Sequence, residues 1–213
     1  MKILGIETSG NFGGIALCED QQCIVTKTFS GAMQHERELV PAIRDALKEV
    51  YWSMSDIDVI AVDVGPGSYT GLRIGVTCAK TLGYALNRPV VDVPVFDILA
   101  ENYTSGTLPI CPVIDARRKH VYACVYQIEE TKKKRLTDFL VLEPEKLPDI
   151  LPRPVMIFGD GILLYKEIFS QDDIIIGAEE YAVPKSENVA LLGERRYESG
   201  YQCELDKLLP LYL

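Results

Sequence analysis

The stretch "VDVGPGSYTGLRIGVTCAK", residues 62–80, joins an apolar run to a helical pattern through a glycine-rich turn. The run that leads into it, "DVIAVDV" at 58–64, has the β-branched residues typical of a strand covered on both faces. The residues that follow, about 70–87, have the spacing of a helix. Glycines at such a turn permit positive φ, and the N-terminus of the helix offers unpaired N–H groups to an anion. The stretch therefore predicts an α/β fold with a loop whose shape suits a phosphate.

The same loop lacks the residues of the common nucleotide motifs. The sixth position of the pattern GxxxxGK[ST] is Thr70 instead of glycine, and the pattern GxGxxG fails as well. Two interpretations stay open, a tight structural turn and a direct phosphate cradle. In the second, the residues near a phosphate or nucleotide would be Glu7, Thr8, Gly65, Gly67, Ser68 and Thr70.

The helix after the loop carries a ridge of small residues, Gly71, Gly75, Ala79 and Gly83, which we call the glycine ridge. Glycine in a helix interior costs roughly 1 kcal/mol relative to alanine, so the ridge needs a compensating reason. It could pack on the sheet of its own domain, or it could receive a helix of another subunit. We expect the second, with a partner interface formed by Leu39, Ile43, Gly71, Leu72, Gly75, Val76, Ala79 and Gly83.

The order of predicted elements occurs twice along the chain. Strands at about 2–8, 12–19 and 22–30 precede a helix at 36–51, the strand at 58–64 and the helix at 70–87. Strands at about 110–115, 120–128 and 135–142 precede a helix near 143–150, a strand at 155–158 and a helix near 161–169. This order, βββαβα, predicts two similar domains with mixed sheets, 1–103 and 104–213. A last helix, 186–200, either completes the second domain or packs back on the first.

Composition excludes several classes of protein. No apolar stretch approaches 18 residues and no basic-then-apolar segment opens the chain, which argues against a membrane span or a signal peptide. Six cysteines without a CxxC pair fit reduced residues of a cytoplasmic protein. The net charge of −9 disfavours nucleic-acid binding by this chain alone. The basic runs Arg117–Lys119 and Lys132–Arg135 are interpreted as solvated hairpin turns.

The sequence does not assemble a catalytic set. His35 has no second histidine four residues later, so an HxxxH metal pair cannot form, and His120 fits an exposed strand or turn position. No GxSxG motif supplies a nucleophile, which disfavours a peptidase. Glu7, at the end of the first strand, could assist a metal or could orient the hairpin. We therefore predict no catalytic residue and no metal site.

Five segments carry a resemblance to a known family. They are, in chain order, "ILGIETSGNFGGIAL" (3–17), "HERELVPAI" (35–43), "GPGSYTGLRIG" (65–75), "DARRKHVY" (115–122) and "FGDG" (158–161). With them the chain resembles the bacterial TsaB (YeaZ-type) family, whose members take part in making N6-threonylcarbamoyladenosine in tRNA. One departure is Tyr69, where phenylalanine is common in the family.

The resemblance implies a fold and a role. The fold would be two RNase-H-like halves of the actin-like ATPase superfamily. The role would be that of a non-catalytic subunit that pairs through its first domain with TsaD, or with itself when alone, for modification of adenosine 37 of tRNA. TsaE would complete the assembly, ATP and magnesium would be used by the partner complex, and tRNA would be contacted mainly through that complex. TsaD carries an HxxxH metal pair, whereas this chain has Leu39 four residues after His35.

A rival hypothesis from the residues is a small actin-like ATPase or kinase. It would use Glu7 and the loop at 65–71 to hold a nucleotide. The two hypotheses differ in whether this chain turns over ATP by itself.

Overall fold

The computed structural model describes residues 1–31, 34–104, 106–129 and 132–213. The chain forms two compact units, one of residues 1–98 with 184–212 and one of residues 99–183 with Leu213. We call them the first and second units. The division falls inside helix α3 (Val95–Glu101), an element that the sequence analysis does not predict. The second unit accordingly ends at residue 183, because the chain after it returns to the first unit.

The first unit contains one five-stranded mixed sheet. Its strands are β1 (Lys2–Glu7), β2 (Gly14–Glu19), β3 (Gln22–Thr28), β4 (Val59–Gly65) and β5 (Val90–Pro94), in the order β3-β2-β1-β4-β5. β2 is antiparallel to both β1 and β3, whereas β4 is parallel to both β1 and β5. Every residue of β4 is buried, as the almost unbroken β-branched run predicts.

Helices cover both faces of this sheet. α1 (His35–Glu49) and α2 (Tyr69–Leu86) bury residues such as Leu47 and Val76 in one core. α6 (Ser186–Glu198) packs on the opposite face, where Val189 and Ala190 meet Val59 and Ala61. Of the two places left open for the last helix, the first sheet is the one observed.

The second unit repeats the strand order of the first. Its strands are β6 (Ile110–Arg117), β7 (His120–Ala123), β8 (Tyr126–Glu129), β9 (Lys132–Arg135), β10 (Leu140–Leu142), β11 (Val155–Phe158) and β12 (Ile174–Ile176). The order β10-β7-β6-β11-β12 has the same succession of antiparallel and parallel pairs as the first sheet, and the hairpin β8–β9 is added at β6. The prediction of an α/β fold with two mixed sheets is confirmed.

The predicted helices of the second unit are shorter than expected. The segment predicted as a helix at 143–150 is a 3-10 helix, Pro144–Asp149, which holds two prolines. Proline has no backbone N–H and obstructs the α-helical hydrogen-bond pattern. The predicted helix at 161–169 is two short helices, α4 (Asp160–Leu164) and α5 (Lys166–Phe169). None of the helices within the described ranges combines the length and apolar character that crossing a bilayer requires.

Candidate functional site

A buried carboxylate ends the first strand. Glu7 is the last residue of β1, and its Oε1 accepts hydrogen bonds from the Ser9 N–H at 2.6 Å, the Ser9 hydroxyl at 2.8 Å and the Gly10 N–H at 3.0 Å. Burial raises the pKa of Glu7 to about 7, and the hydrogen bonds from Ser9 and Gly10 partly oppose that rise. Glu7 therefore fixes the turn that follows β1, which is the orienting role left open by the sequence.

A second buried carboxylate, Asp63, comes from the neighbouring parallel strand. The pairing of Ile6 with Val62 places Glu7 and Asp63 one residue further along β1 and β4. Asp63 Oδ1 accepts a hydrogen bond from the Gly65 N–H at 2.7 Å. Burial and the charge of Glu7 raise the pKa of Asp63 well above its usual range. The sequence analysis missed Asp63, although a single acid inside an otherwise apolar strand was a signal for it.

The outer oxygens of this pair have no hydrogen-bond partner. Glu7 Oε2 and Asp63 Oδ2 are both buried and unpaired among the described residues. A buried ionised carboxylate without partners is costly, so burial and mutual repulsion both favour retention of a proton on the pair. The carboxylates thus form a buried acid pair at the carboxyl ends of β1 and β4.

His35, on a different element, forms a hydrogen bond to the backbone of the turn after β1. It is buried at the start of α1, where its Nε2–H donates to the Gly10 carbonyl at 3.1 Å and its ring contacts Phe29. One turn later, Leu39 is buried in the core. Among the described residues, no group of three or more His, Cys, Asp or Glu side chains is arranged to hold a metal ion.

The glycine-rich loop packs closely against the turn after β1 and is hydrogen-bonded to it. The Ser68 N–H donates to the Ser9 carbonyl at 2.8 Å, and the Ser68 hydroxyl accepts from the Gly71 N–H at 3.2 Å as the cap of α2. Gly65 has φ of +95°, a conformation that favours glycine. At Gly67 a Cβ would lie 2.6 Å from the Ser9 carbonyl oxygen.

These contacts bear on the predicted phosphate cradle. Of its six residues, Glu7, Thr8 and Gly65 are buried, and Gly67, Ser68 and Thr70 are exposed. The N–H groups of Gly65, Ser68 and Gly71 already donate within the chain. The contacts of these three N–H groups favour the tight structural turn over a directly bound phosphate.

The glycine ridge faces inward, which corrects the predicted docking surface. A Cβ would stand 2.0 Å from the Thr8 carbonyl at Gly71, 2.2 Å from the Thr8 hydroxyl at Gly75 and 2.5 Å from a Val90 methyl at Gly83. The other members of the predicted interface are likewise buried in the first unit: Leu39, Ile43, Leu72, Val76 and Ala79. The ridge exists because α2 approaches its own sheet closely, and a partner cannot reach it.

The opposite faces of the two helices remain accessible. Val40 on α1 is 65% exposed, and Tyr69 and Tyr84 on α2 are 56% and 78% exposed. The Arg73 guanidinium stacks on the Tyr69 ring at 4.0 Å, and its Nε donates to the Tyr212 hydroxyl at 3.1 Å. Large apolar and aromatic side chains thus lie outward on both α1 and α2.

Comparison with known proteins finds relatives whose names refer to the same tRNA modification. The family model of TsaD, tRNA N6-adenosine threonylcarbamoyltransferase, matches residues 29–194. The chain is 32% identical over 226 residues to the tRNA threonylcarbamoyladenosine biosynthesis protein TsaB of Bacillus subtilis (strain 168), with 100% of this chain and 94% of that protein covered. It is 25% identical over 220 residues to the Escherichia coli (strain K12) protein of the same name, with the same coverage.

Solved structures agree with this relationship. YeaZ from Pseudomonas aeruginosa superimposes with a TM-score of 0.88 at 28% identity, covering 100% of this chain and 99% of that one. The activator of the 2-hydroxyisocaproyl-CoA dehydratase from Clostridium difficile, with bound ADPNP, gives a TM-score of 0.52 at 10% identity and full coverage of both chains. At that identity the likeness concerns the fold alone.

Proposed function

Because the chain belongs to the TsaB (YeaZ-type) family of tRNA threonylcarbamoyladenosine biosynthesis proteins, we propose that it is a non-catalytic subunit that pairs with TsaD. The pair would act in the cytoplasm on adenosine 37 of tRNA, with TsaE as a further partner. ATP and magnesium would be used by the partner complex, and in isolation the chain would pair with itself.

The observation that carries this proposal is the pair His35 and Leu39 on α1. TsaD, by the resemblance, binds its metal through two histidines four residues apart. In this chain His35 is buried and donates to Gly10, and the side chain four residues later is a leucine of the core. An aliphatic side chain offers no lone pair to a metal, so the ligand set of TsaD cannot be completed here.

The surface proposed for pairing is the outward face of α1 and α2. Val40, Tyr69 and Tyr84 contribute apolar and aromatic area there, and aromatic side chains supply much of the energy of protein interfaces. This replaces the glycine ridge as the contact with TsaD while keeping the same two helices.

Reconstitution of the reaction tests the proposal. Purified TsaD, TsaE and tRNA are combined with threonylcarbamoyl adenylate, ATP and magnesium, with and without this chain, and modified adenosine is measured by mass spectrometry. We expect modification only when the chain is present, and none from the chain with tRNA and the adenylate alone. Transfer by the isolated chain would contradict the non-catalytic role.

The rival ATPase hypothesis is tested separately. Calorimetry of the isolated chain with ATP and magnesium should give no micromolar binding, since the loop N–H groups of Gly65, Ser68 and Gly71 are already used. Binding with turnover would favour the rival.

A further inference from the structure

The hairpin between β6 and β7 has a turn whose residues do not suit its backbone. Arg117 pairs with His120 across the ladder, which leaves Arg118 and Lys119 as a two-residue loop. The φ angles are +64° at Arg117, +49° at Arg118 and +62° at Lys119. Positive φ at both central residues is the condition of a type I′ turn, for which Asn-Gly is strongly preferred because side chains with a Cβ are disfavoured there. The turn therefore carries two long cationic side chains at positions where its backbone conformation favours Asn and Gly.

The base of this hairpin is fixed by specific contacts. Asp115 accepts from the Arg117 N–H at 2.9 Å and pairs with the Arg117 guanidinium at 3.0 Å. Asp160 accepts from the Asp115 N–H at 3.0 Å, and His120 Nδ1–H donates to the Arg118 carbonyl at 3.0 Å. The tip is thus held in one conformation by groups on β6, β7 and α4.

The charges of the hairpin are separated along its length. The acids Asp115 and Asp160 lie at the base, and Glu143 is within electrostatic reach of His120. Arg118 and Lys119 are exposed at the tip, and neither forms an ion pair with a carboxylate in the described part of the chain. The chain has a net charge of −9, so this tip is a small positively charged site, with a fixed backbone, on an acidic protein.

We propose that Arg118 and Lys119 contact backbone phosphates of the RNA substrate, an inference that rests on the proposed function in tRNA modification. A guanidinium and an ammonium are the side chains that bind phosphate, and they do so without reading sequence. Because the surrounding chain is acidic, contact is confined to the tip, and the partner complex supplies the remaining affinity. The hairpin would therefore orient the tRNA on the assembly.

The test is the double substitution Arg118→Asn with Lys119→Gly, which installs the residues that the turn prefers. Binding of labelled tRNA is followed by fluorescence anisotropy from 50 to 200 mM salt, for the complex with TsaD and for the isolated full chain at the low-salt end. We expect tRNA affinity of the complex to fall roughly ten- to thirtyfold near 0.1 M salt, with the salt slope shallower by about 1.4 to 1.8. The melting temperature of the variant should rise by about 2–4 °C, since the strained turn is relieved.

A matched control removes the same charge elsewhere. Lys132→Gln with Lys134→Gln neutralises two exposed lysines of β9 and should leave tRNA affinity within about twofold of the unmodified chain. Equal losses in the two variants would mean a general charge effect and would overturn the proposal, as would unchanged affinity or a lowered melting temperature in the hairpin variant. Failure of the unmodified chain to pair with TsaD would instead contradict the proposed function, while the isolated-chain assay would still decide whether the hairpin binds RNA.

Discussion

Gly75 of α2 faces the side chain of Thr8 so closely that a Cβ at position 75 would stand 2.2 Å from the Thr8 hydroxyl oxygen. Thr8 is fully buried directly after β1, and its hydroxyl has no hydrogen-bond partner among the described residues. The contact brings the start of α2 against the turn that Glu7 fixes. Helix α2 and the turn after β1 are therefore packed directly against each other, and this contact requires Gly71 and Gly75.

Gly75→Ala should destabilise the protein by about 1–3 kcal/mol, because overpacking outweighs the roughly 1 kcal/mol that alanine gains in helix propensity. In a Thr8→Ala background the hydroxyl is gone, and the nearest remaining atom is the Cβ of residue 8 at 3.4 Å. There Gly75→Ala should be neutral or stabilising by up to about 1 kcal/mol. Denaturant unfolding of the four proteins measures this coupling.

The control for this cycle is Thr77→Ala, at an exposed position on the same helix. It should change the free energy of unfolding by less than about 0.5 kcal/mol in both backgrounds. If Gly75→Ala were equally costly with and without the Thr8 side chain, the close approach would not be the reason for the glycine.

Much of the fold could be predicted because buried faces of strands and helices require apolar residues at regular spacing in the sequence. The apolar run of β4 and the helical pattern predicted at 36–51 depend only on local geometry. The direction in which Gly75 faces could not be predicted in this way. A ridge of small residues suits close packing on a sheet and on a foreign helix equally well, so periodicity does not identify the partner.

The pairing of Glu7 with Asp63 could not be predicted from the sequence for a different reason. Glu7 was singled out as the end of a strand, but its partner Asp63 lies far along the chain and becomes adjacent only through parallel pairing of β1 and β4. No local spacing encodes that pairing. A charged residue inside a buried strand, next to Gly65, was the available signal, and its meaning needed the sheet order.

Ser68→Ala should lower the free energy of unfolding by about 1 kcal/mol, because it removes the hydroxyl that accepts from the Gly71 N–H. Ser68→Asn should restore most of the loss, since asparagine caps helices as well as serine does. Thermal or denaturant unfolding distinguishes the two. A loop that served only a ligand would show no stability loss for either substitution.

Val40→Glu and Tyr84→Glu should each weaken pairing with TsaD by tenfold or more, because a carboxylate would have to be desolvated in the interface. Both positions are exposed, so the free energy of unfolding should change by less than about 0.5 kcal/mol. Leu163→Glu, at a residue of the second unit that is 69% exposed, is the control and should pair normally. Affinities from calorimetry or surface binding that are unaffected at positions 40 and 84 would remove α1 and α2 as the contact. A bulky substitution at Gly75 could not answer this question, since it would disrupt the fold.

The pH dependence of stability follows from the acid pair. Burial raises the pKa of Glu7 from 4.5 to about 7 in the folded protein, so the native state binds a proton more tightly than the unfolded chain between these values. The stabilising contribution is fully present below pH 4.5 and is lost as the pH rises through 7. Asp63, whose pKa is also raised, acts in the same direction.

Glu7→Gln should therefore flatten the pH dependence. Between pH 5 and pH 8 the contribution of Glu7 to the free energy of unfolding falls by about 2 to 3 kcal/mol, and this decrease should be absent from the glutamine variant. The amide oxygen of glutamine can still accept the hydrogen bonds from Ser9 and Gly10, so the turn after β1 is kept. Urea unfolding at several pH values measures the effect, and Glu36→Gln, on the exposed face of α1, should follow the unmodified chain. If Glu7→Gln lost stability with pH as steeply as Glu36→Gln, the carboxyl of Glu7 would be ionised in the folded protein throughout this pH range, and its pKa would not be raised.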